Sequence, residues 1–252
     1  MKQQNFYMFG ISPIILQDNL KQYLAQLDIK TSDFIIDQTS DFGELKLIIH
    51  YHQSQIPVYS QLFKLLYDSF KPYIFSEEFY LPEYLIEVLR NHSKTLSIAE
   101  SCTGGMISSQ ITKISGASSV FDTGIVTYSN ASKMKFLGVD ENCLIKNGAV
   151  SRQTAKAMVS GLLHSTHSDL GMAVTGIAGP TGGTPEKPNG TVYIGWGSQK
   201  NIQTQHFIIP LSRLEFQKKV TSTAINQLIR FILKEEAVVN YYFDHRSNNF
   251  NL

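Results

Sequence analysis

Three stretches of this 252-residue chain hold side chains whose types and spacing suit chemistry. The first is Ala99-Glu100-Ser101-Cys102-Thr103-Gly104-Gly105, where a strand reading gives way to a helix reading. Ser101, Cys102 and Thr103 are each candidate nucleophiles, and Gly104 and Gly105 permit a tight turn with close backbone approach. The first helical turn would offer unpaired N–H groups to a phosphate or an oxyanion. A Ser or Thr helix cap with packing glycines fits the same letters. Cys102, with no basic neighbour in sequence, reads as a small buried hydrophobe.

The second stretch is Thr127-Tyr128-Ser129-Asn130-Ala131-Ser132-Lys133. A Lys beside a Ser hydroxyl serves as a general base when desolvation or nearby cations hold it partly neutral. Otherwise Lys133 is a solvated surface residue, and Tyr128 would orient or relay a proton. The third is the Gly- and Pro-rich run Thr175 to Thr191, with Gly176, Gly179, Gly182 and Gly183. Successive amides there can form an anion nest. The alternative is a wide turn of βαβ type. No Gly-Lys-Ser or Gly-Lys-Thr follows, and no Gly-x-Gly-x-x-Gly occurs, so neither nucleotide-loop fingerprint applies. Ser151, in Gly148-Ala149-Val150-Ser151, reads as a helix N-cap that could also face a cleft. His164 and His167 are three apart without a third ligand, and no H-E-x-x-H occurs. No metal site and no cofactor are expected.

These segments need elements to hold them. Helices are expected over Pro82–His92, Gly105–Ile114, Ala131–Phe136, Ser151–His164 and Ser212–Glu235. Strands are expected over Thr95–Ala99, Phe121–Tyr128, Asp169–Thr175, Thr191–Trp196 and Gln203–Ile209. Before them, helices over Pro13–Leu27 and Val58–Phe70 flank strands over Asp33–Asp37 and Leu45–Tyr51, the second opened by the turn at Ser40-Asp41-Phe42-Gly43. The fold class is α/β: a three-layer α/β/α main domain with a smaller N-terminal α+β module. Only Gly10 and Gly43 precede residue 100, while fifteen glycines lie between Gly104 and Gly197, so the composition itself changes along the chain. The division reads 1–78 for the small module, 81–240 for the main domain and 241–252 for a polar tail that frays at Asp244 to Leu252.

Apolar residues make up 42% and charged residues 17%, enough to bury a sizeable core. The formal charge of +1 gives no field that points to nucleic acid or to an anionic membrane. The two cysteines, Cys102 and Cys143, are too few for a disulfide framework. The N-terminal apolar run is broken by Gly10, Ser12 and Pro13, and no stretch approaches a membrane span. A soluble cytoplasmic protein is expected. Its aromatic-rich first module and apolar sheet edges suit a homo-oligomer of unspecified number.

Taken together, the motifs resemble those of the C-terminal domain of the CinA family, known as a nicotinamide-nucleotide amidohydrolase. The likeness covers about residues 81 to 235. The family's Ala-Glu-Ser-Cys-Thr-Gly-Gly stands unbroken at Ala99 to Gly105, Val-Thr-Tyr-Ser-Asn at Val126 to Asn130, Gly-Ala-Val-Ser at Gly148 to Ser151, and Thr-Gly-Ile-Ala-Gly-Pro at Thr175 to Pro180. The resemblance implies deamidation of nicotinamide mononucleotide, a phosphorylated pyridine nucleotide, to nicotinic acid mononucleotide and ammonia. It implies Ser101 as nucleophile, Lys133 as base and Tyr128 in support. It also implies a substrate site drawn from Glu100, Thr103, Gly104, Gly105, Asn130, Ser151, Thr175, Gly176, Gly179, Gly182, Gly183 and Arg213, with no metal. Residues 5 to 78 resemble, by pattern, the family's small KH-type module, without the Gly-x-x-Gly clamp of an RNA binder. Neither a counterpart of the family's molybdopterin-binding-like N-terminal domain nor its ADP-ribose pyrophosphatase activity is expected in this chain. One segment departs. Relatives carry Phe-x-Gly-Asp-Arg with another Arg four residues on, where this chain has Phe207 to Arg213 and then Gln217. That departure keeps two alternatives open: a catalytically weak or inactive nucleotide-binding or scaffold member, and an amidase with a shifted substrate.

Overall fold

The computed structural model describes residues 2–30, 34–37, 42–236 and 241. Two compact units divide the chain, one running to Leu81 and one from Pro82 to Ala237. The first contains β1 (Lys2–Phe9), α1 (Pro13–Gln26), β2 (Phe34–Asp37), β3 (Glu44–Tyr51), α2 (Ile56–Phe70) and β4 (Ile74–Ser76). Its sheet runs β2-β3-β1-β4 with every pairing antiparallel. Leu45, Leu47 and Ile49 alternate into the core from β3. Leu16, Leu20 and Leu24 on α1, and Tyr59, Leu62, Leu66 and Phe70 on α2, repeat at helical spacing and bury against them. Each fully buried Leu of these stripes contributes about 1.5–3 kcal/mol by leaving water.

The second unit holds α3 (Leu81–Asn91), β5 (Leu96–Glu100), α4 (Met106–Thr112), β6 (Phe121–Val126), α5 (Asn130–Leu137), α6 (Glu141–Asn147), α7 (Arg152–Thr166), β7 (Leu170–Gly176), β8 (Thr191–Ser198), β9 (Asn201–Ile208) and α8 (Arg213–Ile232). The sheet order is β6-β5-β7-β8-β9. β6, β5 and β7 run parallel, while β7, β8 and β9 are antiparallel. All five residues of β5 are buried, as a central strand covered on both faces requires. α7 packs on β5, β7, β8 and β9, with α5 and α6 beside it; α8 packs on β7 and β8 with α4 as its neighbour. Gly195 lets α7 lie close: a Cβ there would stand 3.0 Å from Val159 Cγ2 and 3.1 Å from the Ala155 carbonyl oxygen. The result is the three-layer α/β/α domain and the smaller α+β module read from the sequence.

The chain leaves β5 towards β6 on one side, then crosses back to β7 on the other. β5 is therefore a topological switch point, and the crevice beyond its carboxyl end is where such sheets hold ligands. Among the described residues no helix is long and apolar enough to cross a membrane.

Several features depart from the sequence reading, among them β4, whose three residues are too few to show a period. β1 is also absent from that reading, because the first half of KQQNFYMF is exposed or half-buried and Phe6 to Phe9 are all buried, so no period of two shows. α6 is absent too; its seven residues bury only Leu144, which is too little for a periodic signal. The Gly-rich run joins antiparallel β7 and β8, so it is not a turn of βαβ type. The expected tail at Asp244 to Leu252, and Asp33, Ser40 and Asp41 of the expected strand and turn, lie outside the described residues.

Candidate active site

Ser101 is the first residue past the carboxyl end of β5. The bend that follows turns on Gly104 and Gly105, whose φ values of +64° and +98° lie in the left-handed region that glycine enters without strain. The Gly104 N–H closes the turn on the Ser101 carbonyl at 3.1 Å. Beside it, the Thr127 N–H donates to the Glu100 carbonyl at 2.7 Å, tying the end of β5 to the segment leaving β6.

Lys133 comes from α5. Ser129 caps that helix, accepting from the Ser132 N–H, while the Ser132 hydroxyl reaches back to the Ser129 backbone. The cap fixes the phase of the helix, and Lys133 points inward from its first full turn. Its side chain is 1% exposed. Nζ lies 3.0 Å from Ser101 Oγ and donates to the Thr127 carbonyl at 2.8 Å. Burial strips water from the ammonium form and lowers the amine's pKa below the ordinary lysine value, with the neighbouring Cys102 pulling it weakly upward. A neutral amine has the lone pair to accept the Ser101 proton while one N–H stays on Thr127. Cys102 goes the other way. Its thiol is buried and pushed up to about 12, chiefly by desolvation, so it is no competing nucleophile.

Arg213, at the start of α8, bridges the rim. Nη1 donates to the Gly179 carbonyl at 3.0 Å and Nη2 to the Tyr128 hydroxyl at 2.6 Å. Among the described residues no carboxylate pairs with it. Gln217, one turn on, donates to the Cys102 carbonyl at 2.8 Å. The Gly-rich loop is braced from within, because Asn189 Nδ2 donates to the Pro180 carbonyl at 2.7 Å. Lys187 Nζ donates to the carbonyls of Asn147 at 3.0 Å and Val150 at 2.7 Å. Gly176 is a close approach. A Cβ there would meet the Thr191 carbonyl oxygen at 2.8 Å and Cys102 Sγ at 3.1 Å.

The structure thus brings Ser101 and Lys133 into hydrogen-bonding contact, and gathers Tyr128 and Gly179 around the Arg213 guanidinium. Tyr128 itself is 61% exposed, and its hydroxyl partner is Arg213. Ser151 caps α7, bonded to the Thr154 N–H and hydroxyl and to the Gly148 carbonyl. Thr175 Oγ1 donates to the Ala149 carbonyl at 2.8 Å. Asn130, Gly182 and Gly183 are exposed.

One expectation is corrected. The first amides of α4 are not open to a ligand, because the buried Glu100 carboxylate accepts from the N–H groups of Gly105, Ile107 and Ser108 and from the hydroxyls of Thr103 and Ser108. Lys187 and Ser108 are braces the sequence reading missed; each acts through a fold contact that no local pattern announces. Among the described residues no group of three His, Cys, Asp or Glu side chains is placed to hold a metal ion.

Residues 79–232 match the family model described as the CinA C-terminal domain. A CinA-like protein of Colwellia psychrerythraea is 44% identical over 161 residues, which cover 64% of this chain and 37% of that protein. A CinA-like protein of Citrifermentans bemidjiense is 39% identical over 193 residues, 76% of this chain and 47% of its own length. The matches therefore span under half of these curated relatives. Among solved structures, the competence/damage inducible protein CihA from Agrobacterium tumefaciens superposes with a TM-score of 0.56 at 39% identity, over 57% of this chain and 89% of that one. A competence-damaged protein (CinA) superfamily protein from Klebsiella pneumoniae gives a TM-score of 0.60 at 28% identity, over 61% of this chain and 96% of that one.

Proposed function

The chain belongs to the CinA family through its C-terminal domain, and on that premise we propose that it hydrolyses the carboxamide of nicotinamide mononucleotide. Ser101 Oγ attacks the carbonyl carbon as Lys133 takes its proton. The C–N bond breaks, Lys133 returns that proton to nitrogen, and ammonia leaves. Water then attacks the acyl ester with Lys133 again as base, releasing nicotinic acid mononucleotide and the free Ser101 hydroxyl.

The observation that carries this reading is the 3.0 Å contact between Ser101 Oγ and a fully buried amine. Solvated lysines cannot do this work near neutral pH; one held away from water can. Two further features support it. The Thr103 N–H of the bend has no hydrogen-bond partner among the described residues, and we assign it as the donor to the developing oxyanion. Arg213 offers a guanidinium without a carboxylate partner, suited to the nucleotide phosphate.

The test is ammonia release from nicotinamide mononucleotide by the wild type and by Ser101→Ala. The variant should lose about 10³-fold or more in kcat. Unchanged turnover would remove Ser101 from the mechanism. Gln217 favours a second reading, because it spends its amide on the Cys102 carbonyl where relatives carry Arg. Under that reading the protein holds the nucleotide without turning it over, and calorimetry would show binding with no ammonia.

A further inference from the structure

Glu100 precedes Ser101 at the end of β5, and its carbonyl is bonded to the residue whose own carbonyl holds Lys133 Nζ. Its side chain is fully buried. One carboxylate oxygen accepts from Thr103 Oγ1 at 2.7 Å, the Gly105 N–H at 3.0 Å and the Ile107 N–H at 3.1 Å. The other accepts from the Ser108 N–H at 2.8 Å and Ser108 Oγ at 2.7 Å. These five donors fill the lone-pair directions of the group, so none remains for a substrate. They also span the bend from Thr103 to Ser108, and with it fix the direction in which Ser101 leaves β5. The same residue's carbonyl accepts from the Thr127 N–H, and the Thr127 carbonyl in turn accepts from Lys133 Nζ. Side chain and main chain of one residue therefore set the nucleophile and the perch of its base.

We infer that Glu100 is a positioning residue that sets the Ser101–Lys133 geometry from behind and touches no substrate. The inference rests on the reading of Ser101 as nucleophile, but not on the identity of the substrate. Glu100→Gln keeps size and one acceptor oxygen, but turns an N–H₂ group towards donors that need an acceptor. The bend must then shift, and a displacement of an ångström is enough to cost about 100-fold in rate.

The experiment reads Ser101 directly, with an alkyl fluorophosphonate and peptide mass spectrometry on the full chain. Ser101 oxygen bonds to phosphorus, fluoride leaves, and the hydroxyl proton passes to Lys133. Labelling of Glu100→Gln should be about 100-fold slower than wild type, while calorimetric affinity for nicotinamide mononucleotide stays within about 3-fold. Glu100→Asp, which keeps the charge, should recover part of the labelling rate. Wild-type labelling in Glu100→Gln overturns the inference, as does slowed labelling together with lost nucleotide affinity, which would make Glu100 a substrate ligand. A wild type that does not label at Ser101 removes the nucleophile and the inference together. A wild type that labels but releases no ammonia rejects the proposed substrate alone, and the labelling comparison still decides. Should Glu100→Gln melt out, Thr103→Val and Ser108→Ala each remove one donor. Each should slow labelling about 3- to 10-fold with the fold intact, and no change in either overturns the inference.

Discussion

Replacing Lys133 with Met removes one amine while keeping an unbranched side chain of similar length in the same buried slot. The amine lies 3.0 Å from Ser101 Oγ and 2.8 Å from the Thr127 carbonyl, and it is 1% exposed, so no bulk water stands ready to take its place. A positioned general base contributes about 10²- to 10⁴-fold, or about 2.7–5.5 kcal/mol of barrier. Lys133→Met should therefore lose that factor in kcat and bind nicotinamide mononucleotide almost as before. The stability change is a difference of opposing terms. An unpaired Thr127 carbonyl costs about 1–3 kcal/mol, while relief from burying an ammonium offsets it. Lys133→Arg should not rescue, because a guanidinium stays charged and has no lone pair for the Ser101 proton.

The pH dependence follows from the direction of the shift. Burial lowers the folded-state pKa of Lys133 below its unfolded value. Between those two values the unfolded chain binds more protons, so this group makes stability rise with pH, at up to about 1.4 kcal/mol per unit. The rise ends near the ordinary lysine value, and below the folded-state pKa the dependence disappears. Urea melts across that window should show the slope in wild type and its absence in Lys133→Met. The ammonia-release rate should climb with pH through the lowered pKa, short of the ordinary lysine value. If Lys133→Met keeps more than a tenth of wild-type turnover, or Lys133→Arg turns over normally, the buried amine is not the base.

Two other substitutions test the surroundings. Arg213→Ala removes the guanidinium held by Gly179 and Tyr128; KM for nicotinamide mononucleotide should rise about 10-fold or more with kcat little changed, and an unchanged KM would take the phosphate away from Arg213. Gly176→Ala drives a Cβ into the Thr191 carbonyl oxygen at 2.8 Å, Val192 Cβ at 3.0 Å and Cys102 Sγ at 3.1 Å. Overpacking of that kind costs about 1–3 kcal/mol, so thermal unfolding should come at a lower temperature; an unshifted melt would show that the strand end has room to give.

Much of the fold is legible because its signals are local. α1, α2 and α8 repeat apolar residues at helical spacing, and β3 alternates, so each declares its own period. β1 does not, because its second half is buried at every position and its first half is polar. Whether the Gly-rich run closes a crossover or a hairpin is decided by which neighbour β8 finds, and that is a property of the sheet. The site divides in the same way. Ser101, Cys102 and the glycines occupy a contiguous motif, and the burial of Cys102 follows from its type. The Ser101–Lys133 contact spans 32 residues and exists because β5 and β6 lie parallel and adjacent. Glu100 shows the limit most clearly. An acidic residue beside a nucleophile reads as a ligand for substrate, but its reach to Ser108 is set by a bend whose shape no pair of letters encodes.

The parallel pairing also explains why the base sits six residues past Thr127 and not elsewhere. β6 ends beside β5, and the Thr127 N–H locks that end to the Glu100 carbonyl. From there the chain has only Tyr128 before Ser129 starts the helix. Each residue of helix turns the side chain by about 100°. Moving the lysine one position along α5 would aim it away from Ser101, and shifting the Ser129 cap by one would do the same. The lysine cannot compensate by flexing, because its slot is closed and its amine must meet two fixed oxygens. A buried amine is costly to the fold, and a helix cap, a strand register and a carboxylate-locked bend all hold it in place. Those three constraints converge on the Ser101 hydroxyl, and a fold that needed only a core would have put a leucine at residue 133.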